Sequence, residues 1–325
     1  MKDVIRQYLE DAIAAEKSFE TQLRGFAEEA SNPAVHSLFD QHADETRQQY
    51  EELTTRLHQL GGSTSIIKSM LAHLFNSAPK VAQAGHTKSE RTTQDLMMAF
   101  AVENAEVAMY EALTMAAETA GDDTTATLAR KIQSEEKATA AKVWSAIAPA
   151  ATQGYRDALQ EDKDSSPVLR YLQDAEAAER NFEDALASFG KSGEQAHVQS
   201  LMNMMSDKAK TQHQRLAERL QELGGKTSGA KSTLAHVLAF TPLTAQIGHD
   251  PSEKSTQQLM VVYAAAAAEM AMYEALGVAA TQAGDSETAG LARQLQAEEQ
   301  EDHKMAWENL APSARATMQA FFSHA

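Results

Sequence analysis

The side chains best suited to chemistry in this chain are glutamates that interrupt apolar stripes. From Lys2 to Ala30, Ile5, Leu9, Ala12, Phe19, Leu23 and Phe26 recur every three or four residues, and Glu16 takes the missing place in the series. After Pro33 the stripe is Val35, Leu38, Leu53, Leu57 and Leu60, with His42, Glu45 and Gln49 filling its middle. A third stripe, Leu96, Phe100, Val107, Tyr110 and Leu113, carries Glu103 and Glu106; a fourth, Leu128, Ile132, Val143 and Ile147, has Glu135 and Glu136 within reach of its inner side. Glu16 and Glu45 are 29 residues apart, as are Glu106 and Glu135, so two antiparallel hairpins of equal reach would hold these four at one depth. His42 and Glu103, each three residues before a member of that layer, would share the adjacent level. Four ionised carboxylates cannot share a dry core without cations or bound protons. Two divalent ions bridged by carboxylates, iron or manganese, would satisfy them. Taken singly the residues have plainer readings: a glutamate at a stripe's edge, His42 as a hydrogen-bonded core histidine, Tyr110 and Tyr273 as core packing.

Such a layer needs long helices, and the composition favours them. Ala, Glu, Gln, Met and Leu are abundant, prolines number 7 and glycines 15, and no alternating strand pattern runs for a useful length. The predicted helices are A (Lys2 to Ala30), B (from Pro33, stopped by Gly61-Gly62), C (about Glu90 to Ala120) and D (about Thr124 to Ile147). Short A–B and C–D connections make hairpins. The long B–C crossover, with a short helix of its own, makes B and C parallel, which is the ferritin-like four-helix topology.

The unit occurs twice. YLEDAIAAEKSFE at Tyr8 returns as YLQDAEAAERNFE at Tyr171, RLHQLGGSTS at Arg56 as RLQELGGKTS at Arg219, and EVAMYEAL at Glu106 as EMAMYEAL at Glu269, all at an offset of 163 residues and with no insertion. The expected architecture is therefore all-α: two tandem bundles, residues 1–160 and 161–325, joined through the polar seam Gln160 to Pro167. In the second copy Glu16, Glu106 and Glu135 become Glu179, Glu269 and Glu298, but His42, Glu45 and Glu103 become Met205, Lys208 and Ala266. Metal is thus expected in the first repeat only. Glu299, Asp302 and His303 form a second possible ligand set, more simply read as a solvated acidic tract. His86 and His249, each after a glycine, suggest a local cap or a domain contact.

The remaining composition narrows the function. A formal charge of −17 repels phosphate backbones and argues against nucleic acid. Without cysteine there are no disulfides, thiolate metal sites or cysteine nucleophiles. The N-terminus does not read as a signal peptide, and the most apolar stretch, Leu259 to Leu276, is broken by Glu269 and Glu274, so no membrane span and a cytoplasmic location are expected. No phosphate loop or nucleophile elbow is visible.

The motifs Ala15-Glu16-Lys17, His42-x-x-Glu45-Thr46, Glu103-x-x-Glu106 with Tyr110, and Glu135-Glu136 resemble those of the YciE/YciF-like branch of the ferritin-like superfamily, over nearly the whole of each repeat. The resemblance implies a bundle with a short fifth helix, paired as a dimer, in bacterial stress-associated proteins; here the pair would lie within one chain. The better-known ferritins show E-x-x-H on helices B and D, whereas helix B here reads H-x-x-E and helix D of the first repeat has no histidine, which counts against ferroxidase chemistry. Two functions follow: a non-haem di-metal protein for oxygen or peroxide chemistry or metal sequestration, with Glu16, His42, Glu45, Glu103, Glu106, Glu135 and Glu136 as ligands, or a non-catalytic interaction protein whose carboxylates are relics.

Overall fold

The computed structural model describes residues 2–63, 86–226 and 251–323. Among them are eight α-helices and no strand: α1 (Lys2–Glu29), α2 (Pro33–Gln59), α3 (Lys88–Thr119), α4 (Asp123–Glu161), α5 (Pro167–Ser192), α6 (Ala196–Glu222), α7 (Lys254–Ala283, after a 3-10 turn at Pro251–Glu253) and α8 (Ser286–Ser323). The crossover helices expected from the sequence fall outside the described residues, as does His249.

Each repeat is a bundle of two hairpins. In the first, the start of α2 meets the start of α3, where the Ser31 backbone N–H donates to Thr92 Oγ1 at 3.0 Å. The end of α2 meets the α3–α4 turn, where Arg56 donates to Thr125 Oγ1 at 2.8 Å and Asp122 at 2.6 Å. Start on start and end on end make α2 and α3 parallel, as the long crossover required. The second repeat copies the turn with Arg219, Thr288 and Asp285, at 2.8 and 2.9 Å. In both turns the aspartate also caps the following helix, accepting from the threonine backbone N–H at 3.0 Å.

Helix D departs from expectation. It does not stop at Ile147 but continues through Pro149 to Glu161. A proline inside a helix removes a hydrogen bond and costs about 3 kcal/mol. The extension offsets this by burying Ala150, Ala151, Gly154 and Ala158. Gly154 lies so close to the start of α3 that a Cβ there would approach the Glu90 backbone nitrogen to 3.3 Å.

Apolar packing continues from one bundle into the other. A single apolar cluster runs from Phe19 and Val143 in the first repeat to Phe182, Leu216 and Leu310 in the second, passing through α3 and α7. His303 of α8 stacks on Tyr263 of α7, 3.8 Å between ring centroids, and bonds Asn104 Oδ1 of α3 at 3.1 Å. Lys137 of α4 lies 4.6 Å over the Trp307 ring of α8. The segment Pro251–Ala283 is long and apolar enough to cross a membrane by length and composition, but 78% of its most apolar window is buried by the rest of the protein.

Candidate metal centre

The inward stripes deliver acidic side chains to the middle of the first bundle. On α1, Glu16 is fully buried between Ile13 and Phe19. On α2 the buried positions run Phe39, His42, Thr46, Gln49 and Leu53; on α3 they include Glu103, Glu106 and Tyr110. On α4 they run Ile132, Gln133, Glu136, Ala140 and Val143. Two trios result. Donor atoms of His42, Glu103 and Glu136 lie within 4.8 Å of one another, as do those of Glu16, Glu106 and Glu136. Glu136 belongs to both.

The trios are poorly satisfied by the protein itself. Tyr110 donates its hydroxyl to Glu16 Oε1. Glu16 Oε2, both oxygens of Glu103 and Glu106, Glu136 Oε1 and both nitrogens of His42 have no hydrogen-bond partner. His42 Nε2 comes within 2.5 Å of Glu103 Oε1, a close approach not aligned as a hydrogen bond. Burial, and after it the charges of Glu16 and Glu45, push Glu103 up to about 8, offset in part by the neighbouring Glu136 carboxyl. Burial raises Glu16, Glu106 and Glu136 well above the usual carboxylate range, reinforced by the charge of neighbouring glutamates: Glu136 on Glu16, Glu16 and Glu136 on Glu106, and Glu103 on Glu136. Burial lowers His42 to about 4. Burial and the neighbouring carboxylates raise Tyr110, so it keeps its proton and remains a donor.

Five of the seven sequence-derived positions come together: Glu16, His42, Glu103, Glu106 and Glu136. Glu45 and Glu135 do not. Glu45 faces solvent, accepting from Thr139 Oγ1 at 3.1 Å and Lys142 Nζ at 3.4 Å. Glu135 sits at the rim, 3.5 Å from Lys131, and accepts from Gln49 Nε2 at 3.4 Å. The equal 29-residue spacing put Glu45 and Glu135 in one layer with Glu16 and Glu106, whereas the residue that joins Glu16 and Glu106 is Glu136 of α4. Positions 129, 132, 136, 140 and 143 hold the inward line there, which turns 135 outward; on α2, Thr46 takes the inward place beside Glu45.

The second repeat is more intact than its substitutions suggest. Glu179, Glu269 and Glu299 are fully buried, with donor atoms within 4.8 Å of one another. Tyr273 donates to Glu179, and Gln212 Nε2 to Glu299 Oε1 at 2.6 Å. Glu298 points away and pairs with Arg215 at 2.9 Å. The expected set Glu299, Asp302 and His303 is split: Glu299 enters the trio, Asp302 pairs with Lys208 at 2.8 Å, and His303 joins the seam between repeats. His86 makes a domain contact, its Nε2 3.5 Å from Asp174 of α5.

A polar network beside His86 was not legible in the sequence. Glu90, fully buried on α3, accepts from Arg170 of α5 at 2.7 and 3.1 Å and from the Thr87 backbone at 2.9 Å. Despite burial, the nearby His86 imidazole, at 3.8 Å, and bonds from Thr87 and Arg170 hold it down at about 2. Its partners come from opposite repeats, a pairing that no local pattern announces.

A family model described as a domain of unknown function, DUF892, matches the chain twice, over residues 1–155 and 168–318. No solved structure matches the chain.

Proposed function

The chain belongs to the DUF892 family of the ferritin-like superfamily, in two tandem copies, and from that premise we propose that its first repeat is a non-haem di-metal centre of the YciE/YciF-like kind, holding iron or manganese. One observation carries the reading: two buried donor trios joined at Glu136, with most of their ligand atoms left unpartnered by the protein. An unsatisfied buried polar atom costs about 1–3 kcal/mol, and more when charged, so such a cluster calls for a ligand. The charge also balances, because Glu16, Glu103, Glu106 and Glu136 offset two divalent ions while His42 stays neutral. Glu16, Glu106 and Glu136 would hold one ion, and His42, Glu103 and Glu136 the other.

An iron or manganese pair held there supplies oxygen or peroxide chemistry, or sequesters the metal. The chain's own residues prepare the place. Tyr110 holds a proton on its hydroxyl and, by donating it to Glu16, fixes that carboxylate's orientation. Phe19 packs edge-on to His42, centroids 5.1 Å apart, and keeps water from the imidazole. We further propose a role in the bacterial stress response, which the family resemblance implies, and a cytoplasmic location.

Protein purified without chelators should carry iron or manganese. Chelation should lower its melting temperature, and returning iron(II) or manganese(II) should raise it by mass action. Glu136→Gln should empty the first repeat, whereas Glu135→Gln should leave its content unchanged. Wild-type protein that carries no metal, and whose melting ignores both ions, would favour the non-catalytic reading, with the carboxyls held protonated.

A further inference from the structure

We infer that the second repeat is a cation site of a different kind: a mononuclear site that takes one hard divalent ion, such as manganese(II), on Glu179, Glu269 and Glu299. The inference builds on the di-metal reading of the first repeat but is decided by separate residues.

The duplication provides an internal comparison at the 163-residue offset. One trio survives entire, Glu16, Glu106 and Glu136 becoming Glu179, Glu269 and Glu299. Tyr110, which donates to Glu16, survives as Tyr273, which donates to Glu179; Gln49, which bonds the rim residue Glu135 in the first repeat, survives as Gln212, which bonds Glu299 of the trio in the second. The two residues belonging only to the other trio are replaced by apolar ones, His42 by Met205 and Glu103 by Ala266, and both replacements are fully buried. The core of this repeat therefore accepts apolar side chains where ligands stood, yet three carboxyls remain at zero exposure beside them.

The Lys208 charge is felt by Glu179 and Glu299, but its ammonium bonds none of the three carboxyls. The solvent-side pair of Glu45 with Thr139 becomes Lys208 with Asp302, and the ammonium is spent on Asp302 at 2.8 Å and the Glu298 carbonyl at 2.6 Å. Inside the trio, both oxygens of Glu269, Oε1 of Glu179 and Oε2 of Glu299 have no partner. A fourth, uncharged group also points there. Gln212, 1% exposed, anchors its amide nitrogen on Glu299 and leaves its buried Oε1 without any partner. Every unsatisfied atom is an oxygen; there is no imidazole and no thiolate. That donor set suits a hard cation rather than a soft one. One dication and three carboxylates leave a single negative charge, which the Tyr273 and Gln212 donors stabilise.

The test is metal content after equilibration of the whole chain with manganese(II) and removal of the free ion. Wild type should hold about three ions, Glu136→Gln about one and Glu269→Gln about two, counting a pair in repeat one and a single ion in repeat two. The ion left in Glu136→Gln should give the hyperfine-split resonance of an isolated manganous ion. Glu299→Gln should repeat the Glu269→Gln result, and circular dichroism checks that each variant is folded. A wild-type content of two that Glu269→Gln and Glu299→Gln leave unchanged would overturn this site while the first repeat's centre stands. Loss of all metal from the wild type would overturn both.

Discussion

Glu103 and His42 approach within 2.5 Å inside the first bundle, yet they are not an ion pair near neutrality, because burial holds the acid up at about 8 and the base down at about 4. Without metal, that fixes how stability follows pH. A carboxyl raised in the folded state stabilises fully below its ordinary 4.5, and that contribution is lost as pH rises through 8; Glu103 and Glu299 both do this. A histidine lowered in the folded state contributes above 6.5 and loses its contribution as pH falls through 4, as His42 and His303 do. Between 6.5 and 8 the carboxyls change and the histidines do not, so the melting temperature of chelated protein should fall across that window. With manganese(II) present the trend should reverse, since ligands must lose protons to bind and the metal competes better as pH rises. Thermal melts at both ends of the window, with chelator and with metal, check this; parallel curves would mean that the acids are not buried as described. At this scale most of the site was readable, since a glutamate in an apolar stripe announces itself by period alone. The choice between Glu135 and Glu136 was not, because adjacent residues differ by only about 100° around a helix and packing decides which turns inward.

Helix ends and helix extensions depend on contacts between elements. Hairpin turns such as Gly121-Asp122-Asp123 were legible because glycine and capping residues signal locally, and Gly121 takes a φ of 71° that suits glycine. The continuation of α4 past Pro149 was not, because its compensation lies in the face that packs on α3. That packed region contains Glu90, whose depressed carboxyl stabilises the fold above 4.5 and loses this as pH falls through about 2. Arg170 supplies two of the bonds that keep Glu90 charged in a fully buried place. Arg170→Met should therefore cost about 2 kcal/mol in urea unfolding at neutral pH, less than a wholly buried pair because the guanidinium is partly exposed. A change below about 0.5 kcal/mol would rank the pair with ordinary surface salt bridges.

For the molecule as a whole, the seam decides whether two bundles behave as one body. The chain joins α4 to α5 by only the residues between Glu161 and Pro167, but covalent connection is not what the packing relies on. The shared apolar cluster crosses from repeat to repeat through α3 and α7, and α7 is the most apolar helix described. Around it, Asn104 with His303, Lys137 over Trp307, and Glu90 with Arg170 tie the halves at separate places. If the second bundle covers the face that an ordinary partner subunit would cover, the intact chain should sediment near its own 35.3 kDa. A protease site placed between residues 162 and 166 then separates covalent from non-covalent cohesion. After complete cleavage the two fragments should still elute together at the intact size, and urea should part them only as the helices unfold, because separation would bare α3 and α7 to water. Fragments that part in native buffer, each remaining helical and soluble, would show that the seam is a loose domain contact. The two carboxylate clusters would then sit in independently stable bundles.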